Sequence, residues 1–128
     1  SIEEHLSLYN TIDICLDPFP YNGATTTCEA LWMGVPVITL LGDRHVGRVG
    51  ASILTNIGLE DFIAHDINGY IELAVEMSAN LKYLMEIKTG LRKRMQNAPL
   101  CDGLSFAKDF ETIYQDMWSK YQLKLIKN

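Results

Sequence analysis

The sequence predicts an α/β fold with a short parallel sheet, flanking helices and a long C-terminal helix. Three observations carry that expectation. Val35 to Leu41 is an apolar, β-branched run without alternation, the pattern of a parallel strand buried on both faces. Ile12 to Leu16 is a second β-rich run. Between the two, Cys28, Leu31 and Trp32 recur at the spacing of one helix face. Strand, helix and strand within about 30 residues make a βαβ unit, whose crossover is right-handed.

The elements follow in order. Residues 2–10 read as a helix feeding the first strand, which closes at Asp17-Pro18. Pro18 and Pro20 stop any continuation, and Tyr21-Asn22-Gly23 is a turn signal. The helix from Thr26 to Met33 ends at Gly34, placed as a C-terminal cap, and Pro36 cannot extend it. After Gly42 comes a polar turn and a helix over about Val46 to Ile57; Phe62-Ile63-Ala64 is a short third strand. Asp66 can cap a helix beginning near Asn68, and Asn80 divides it from another ending near Met95. Phe106, Phe110, Ile113, Tyr114, Met117 and Tyr121 form an apolar stripe on the last helix, which by default is core. Two or three strands against five or six helices amount to half a Rossmann-like domain, since a doubly wound sheet has about five or six strands. Residues 1–128 therefore read as a single partial domain with strands missing upstream, and Ser1 in place of Met agrees with a segment of a longer protein.

Composition sets bounds. With 48% apolar residues the chain can build a core, and a net charge of −5 speaks against a nucleic-acid groove or an anionic membrane as partner. No apolar run is long enough to span a bilayer. Three cysteines without a CxxC pair, and three scattered histidines, speak against a disulfide framework and a metal site, and fit a reducing cytoplasm.

The segment Asn22 to Val37 carries the chemistry. Residues 18–26 follow the first strand, at the end of an open α/β sheet where ligands bind. Gly23 lacks a Cβ that would obstruct a close ligand, and Thr25, Thr26 and Thr27 place hydroxyls beside the N–H groups of a helix start, an arrangement suited to phosphate. Thr26 and Glu29 are equally spaced as a capping box, Thr-x-x-Glu, which would satisfy the same helix end without any ligand. The residues alone leave both readings open. The loop is neither GxGxxG nor a Walker sequence.

Asp13 to Pro18, Asn22-Gly23, Thr25-Thr26 and Glu29 to Val37 resemble the O-linked N-acetylglucosaminyltransferase family in its bacterial, tetratricopeptide-linked form. The likeness continues through Arg48-Val49, Ala51-Ser52, Gly58-Leu59 and Ile63-Ala64 to Pro99-Leu100, Tyr114, Met117-Trp118 and Tyr121, covering about residues 5–121. It implies a GT-B glycosyltransferase, inverting and dependent on a UDP-sugar, and places this chain as the C-terminal half of its nucleotide-sugar-binding Rossmann-like domain. By the same likeness Thr25 and Thr26 meet the diphosphate, Gly23 and Ala24 lie beside it, and Glu29 holds the ribose, a task suited to an acceptor-only carboxylate. The implied donor is UDP-N-acetylglucosamine, and no cofactor is needed. The implied partners are a protein acceptor and the upstream repeat and N-terminal catalytic domains.

Ala24 departs from the family, which has His immediately before the Thr pair, so one donor near the phosphates is lost. The family's phosphate-binding Lys and its proton-transfer residues lie upstream, so no catalytic residue is expected within the chain. A GT-B-like module that binds nucleotides or proteins without catalysis is the alternative, and a transferase acting on lipid or small carbohydrate is a third reading. Among the other residues, Arg48 reads as a surface or ion-pair residue and Asp17 as an organiser of the Pro-rich turn. Arg92-Lys93-Arg94 reads as a solvated cationic face, and Trp32 as an anchor between helix and sheet.

Overall fold

The computed structural model describes residues 1–126; residues 127 and 128, the last of the expected domain, lie outside the described residues. The chain forms two compact units, Ser1–Ala98 and the remainder from Pro99.

The first unit is built on three parallel strands in the order β1-β2-β3: β1 (Cys15–Leu16), β2 (Val37–Leu40) and β3 (Ile63–Ala64). Cys15 pairs with Val37 and Leu16 with Ile38; Thr39 pairs with Ile63 and Leu40 with Ala64. Val37, Ile38 and Thr39 are all buried, as a central parallel strand requires. Around the sheet stand α1 (Ile2–Leu8), α2 (Thr25–Trp32), α3 (Val49–Asn56), α4 (Ile67–Ala79) and α5 (Leu81–Asn97). Leu31, Ile38, Leu54, Phe62 and Leu91 fill the centre of the core. Each such side chain contributes about 1.5–3 kcal/mol by leaving water.

Local chemistry sets the boundaries. Ser1 opens α1 with a capping box closed by Glu4, Asp66 caps α4 through the Gly69 N–H, and Asn80 caps α5 through the Tyr83 N–H. Gly34 ends α2 in a Schellman turn at φ +85°, with its N–H bonded to the Leu31 carbonyl and the Val35 N–H to the Ala30 carbonyl. That turn takes up Val35, and β2 is shorter than the expected Val35–Leu41 run, although the Pro36 carbonyl and the Leu41 N–H still bond the neighbouring strands. The predicted strand from Ile12 contracts to Cys15–Leu16, where the N–H groups of Cys15 and Asp17 donate to the Pro36 and Ile38 carbonyls. A 3-10 turn, His45–Gly47, replaces the first turn of the predicted 46–57 helix.

Two expectations are corrected. Trp32 is not the anchor between helix and sheet: it is 38% exposed, and Leu31 and Ala30 point inward instead. The helix starts one residue earlier than the apolar spacing implied and buries Thr27, Ala30 and Leu31. The Arg92-Lys93-Arg94 run is exposed, but it is not merely solvated. Arg92 donates to the Trp32 carbonyl at 2.9 Å and Arg94 to the Gly58 carbonyl at 3.0 Å.

The second unit holds a 3-10 turn, Pro99–Cys101, and α6 (Gly103–Ile126), the predicted long C-terminal helix. Aromatic rings pair along α6: Phe106 with Phe110, Phe110 with Tyr114, and Trp118 with Tyr121.

Candidate functional site

The site is built on the loop that leaves β1 and opens into α2, at the carboxyl end of the sheet. Asp17 organises it. Its side chain is 2% exposed; Oδ1 accepts the Gly23 N–H at 2.7 Å and Oδ2 accepts the Thr39 hydroxyl at 2.7 Å. Its main-chain carbonyl accepts the Tyr70 hydroxyl at 2.8 Å. Burial pushes the Asp17 carboxyl above its usual range, while the bonds from Thr39 and Gly23 pull it back. Asn22 fastens the other end of the loop. Its N–H bonds the Val46 carbonyl, its amide nitrogen the Pro18 carbonyl, and its Oδ1 accepts the Gly50 N–H. Between them the Phe19–Pro20 peptide is cis.

Gly23 is forced by crowding. A Cβ there would stand 2.7 Å from Thr27 Oγ1 and 2.8 Å from Thr26 Oγ1, so its bare Cα makes room for the two hydroxyls. The hydroxyl of Thr27 is buried with its residue, whereas Ala24, Thr25 and Thr26 are exposed.

The capping box expected of Thr26 and Glu29 does not form. The helix begins at Thr25, so the N-cap is Ala24, whose methyl group makes no side-chain cap. Thr26 is then the second helical residue and Glu29 the fifth, beyond reach of the N-cap N–H. The Glu29 carboxylate turns to α1, where its Oε2 lies 3.1 Å from His5 Nε2. The Tyr9 ring stands edge-on to His5, and its hydroxyl donates to the Thr26 carbonyl at 3.4 Å. Burial, followed by the nearby Glu29 charge, raises the Tyr9 hydroxyl above its ordinary value.

The first turn of α2 thus presents a helix N-terminus with no side-chain cap, two exposed hydroxyls and, one turn on, a carboxylate held by an imidazole. Such an end attracts anions through its N–H groups and the helix dipole. Gly23, Ala24, Thr25 and Thr26 run consecutively through the end of the loop and the start of α2, and Glu29 lies one turn further along the helix. Sequence reasoning missed His5 and Tyr9, which reach the site from 24 and 17 residues away. Their helical spacing of four residues was the available signal.

A cleft of about 170 Å³ lies at the base of this turn, lined by Tyr9, Asp17, Pro18, Thr26 and Thr27 among others. A larger cavity of about 640 Å³ opens on the other side of the loop, bordered by Phe19, Pro20, Gly42, Arg44, Ile67 and Asn68. Arg48, which lines a neighbouring cavity of about 760 Å³, donates to the Gly42 carbonyl at 3.1 Å and forms no ion pair among the described residues. Among the described residues no group of three or more His, Cys, Asp or Glu is arranged to hold a metal ion. Among the same residues no helix is long and apolar enough to cross a membrane.

Comparison with known proteins agrees with this architecture. The family model described as Glycosyl transferase family 41 matches residues 1–110. A protein of Solanum lycopersicum named "Probable UDP-N-acetylglucosamine--peptide N-acetylglucosaminyltransferase SPINDLY" is 42% identical over 118 residues, 92% of this chain and 13% of its own length. A protein of Caenorhabditis elegans named as a UDP-N-acetylglucosamine--peptide N-acetylglucosaminyltransferase is 28% identical over 120 residues, covering 94% of this chain and 10% of that one. Among solved structures, the K341M mutant of the Thermobaculum terrenum O-GlcNAc transferase superposes with a TM-score of 0.83 at 38% identity. The match covers 90% of this chain and 22% of that one. The chain spans about an eighth of the length of the first of these relatives. The match over residues 1–110 and the 42% identity show that this chain belongs to glycosyl transferase family 41.

Proposed function

We propose that this chain is the nucleotide-sugar-binding half of a protein O-glycosyltransferase that takes UDP-N-acetylglucosamine and transfers its sugar to Ser or Thr of protein acceptors. The observation that carries it is the start of α2, where Ala24 supplies no side-chain cap and Thr25 and Thr26 stand exposed. The diphosphate lies on this helix end, bonded by free N–H groups and the two hydroxyls, with Gly23 and Ala24 beside it. Glu29 accepts from the ribose hydroxyls, oriented by His5. As the bond from sugar to phosphate breaks, negative charge builds on the departing diphosphate, and the helix end stabilises it without rearranging.

The remaining work falls to residues outside the 128 described in sequence. A base to deprotonate the acceptor and a cation near the phosphates come from an N-terminal catalytic domain, with a tetratricopeptide array to bring protein acceptors. The donor is a substrate, and no further cofactor is called for. Three cysteines without a CxxC pair fit a cytoplasmic protein. Ala24, which gives the phosphates no side-chain donor, favours a second reading, a module that binds nucleotides without catalysis.

The test is donor transfer by the intact protein with UDP-N-acetylglucosamine and a peptide library. Glu29→Ala is expected to raise the donor KM by about tenfold or more, the worth of hydrogen bonds to a charged group. Unchanged KM and transfer rate would remove Glu29 from the ribose. Binding of UDP without transfer to any peptide would favour the second reading.

A further inference from the structure

We infer that Asp17 is a positioning residue for the nucleotide diphosphate: acting through the Gly23 N–H, it holds the loop that sets Thr25 and Thr26 at the phosphate end of α2. The inference rests on the donor-site reading above and concerns a residue that would not itself touch the donor. Four pieces of the fold meet at this residue. Thr39 of β2 donates to one carboxylate oxygen and Gly23 of the loop to the other, both at 2.7 Å, while Tyr70 of α4 binds the main-chain carbonyl. From α3, Gly50 makes the space: a Cβ there would stand 2.2 Å from Asp17 Oδ2 and 2.4 Å from Thr39 Oγ1.

A buried carboxylate is an expensive choice for a turn. Taking the charge out of water is costly, and the site above it is meant for another anion. What it offers in return is a rigid fork of two acceptors, each making a charge-assisted bond about twice as strong as a neutral one. The two prongs together tie Gly23 to the strand-bound Thr39. The hydroxyls of Thr26 and Thr27 rest against the Cα of Gly23, close enough that no methyl group could stand between them. The chain of contact runs from Asp17 to Gly23 to Thr26, the residue proposed to meet the diphosphate. Releasing Gly23 removes the support behind those hydroxyls while leaving Glu29 and His5 untouched, since these are held by α1 and the second turn of α2.

That separation gives the test. UDP and uridine are titrated into the intact protein, as wild type, Asp17→Ala, Asp17→Asn and Thr26→Ala, by ligand-observed NMR. Asp17→Ala is expected to weaken UDP by about tenfold or more and to leave uridine within about twofold. Asp17→Asn recovers most of the loss, because its carbonyl still accepts from Gly23 and the Thr39 hydroxyl can turn to accept from its amide. A merely structural role would lower UDP and uridine together, and that result overturns the inference. So does UDP binding retained in Asp17→Ala but lost in Thr26→Ala, which leaves the donor site standing. A wild type that binds neither compound overturns the donor site and Asp17 with it. Should Asp17→Ala not fold, Thr39→Val removes one prong alone; a several-fold loss of UDP with uridine unchanged supports the inference, and unchanged UDP overturns it.

Discussion

Arg92 lies over Trp32 and closes the helix that carries it: the guanidinium carbon stands 5.6 Å from the ring centroid, and Nε donates to the Trp32 carbonyl at 2.9 Å. One side chain of α5 thus serves the carbonyl end of α2, where a cation meets the negative pole of the helix. Arg94 does the same for α3 at Gly58, three residues before which Thr55 accepts the Gly58 N–H. Removal by Arg92→Ala is expected to cost about 1–2 kcal/mol, the sum of an exposed cation–π contact and a terminal-carbonyl bond. Arg92→Lys should recover little, because an ammonium cannot stack and donate sideways together. Urea unfolding checks both; an unchanged midpoint for Arg92→Ala would show the contact to be idle.

Among the described residues, Gly34 and Gly58 have left-handed backbone, at φ +85° and +68°. Both should resist alanine, and not equally. A Cβ on Gly34 would meet the Lys88 carbonyl at 3.3 Å, a rigid neighbour, whereas on Gly58 it would meet only the mobile tip of Arg94 at 3.8 Å. Gly58→Ala is expected to cost about 1 kcal/mol from backbone strain alone, and Gly34→Ala more. Thermal unfolding of the pair gives the order; equal losses would contradict it.

Gly50→Ala should be the most damaging single methyl in the first unit. It would drive Cβ into the buried Asp17–Thr39 pair, separating two groups that have no water to fall back on. A loss of about 3 kcal/mol or more is expected from the combined crowding and broken bond. Near-wild-type stability would mean the loop can move aside.

The pH dependence of Asp17 has a definite sign. Its carboxyl is raised in the fold above its unfolded value, so between those two values the native state binds more protons than the unfolded state. Stability from this group is therefore greatest at low pH and falls as pH rises through that window. Asp17→Asn, which cannot ionise, lacks the fall. Denaturant midpoints measured from acid to neutral pH should show the wild type losing ground to Asp17→Asn as pH rises. A difference that stayed constant, or grew in favour of the wild type, would contradict the burial of the charge.

Much of this fold was legible in the chain. Gly34 with Pro36 marked the end of α2, and the unalternating valines and isoleucine marked a strand buried on both faces. Asp66 and Asn80 each gave a cap that forms. Gly58 was equally readable as a cap and was passed over. What misled was the pair Thr26 and Glu29, because a Thr-x-x-Glu spacing describes a capping box only if the helix begins two residues later, at Thr27. The turn held by Asp17 and Asn22 decides where α2 starts, and it gathers bonds from β2, α3 and α4 that lie up to 53 residues away. No local pattern contains that information. His5 was hidden for the same reason, since nothing near it in sequence pairs it with Glu29. Trp32 was misjudged because size and apolarity suggest burial, while Arg92 offers its face a partner at the surface.

On the proposed reading, the uncapped start of α2 binds a nucleotide diphosphate. The most direct measurement is calorimetric titration of UDP into the intact protein, as wild type and as the double substitution Thr25→Ala, Thr26→Ala, which leaves the helix and Ala24 in place. Saturable binding by the wild type, weakened about tenfold or more by the double substitution, is the predicted result. Equal affinity in the two proteins, or no binding by the wild type, would contradict it.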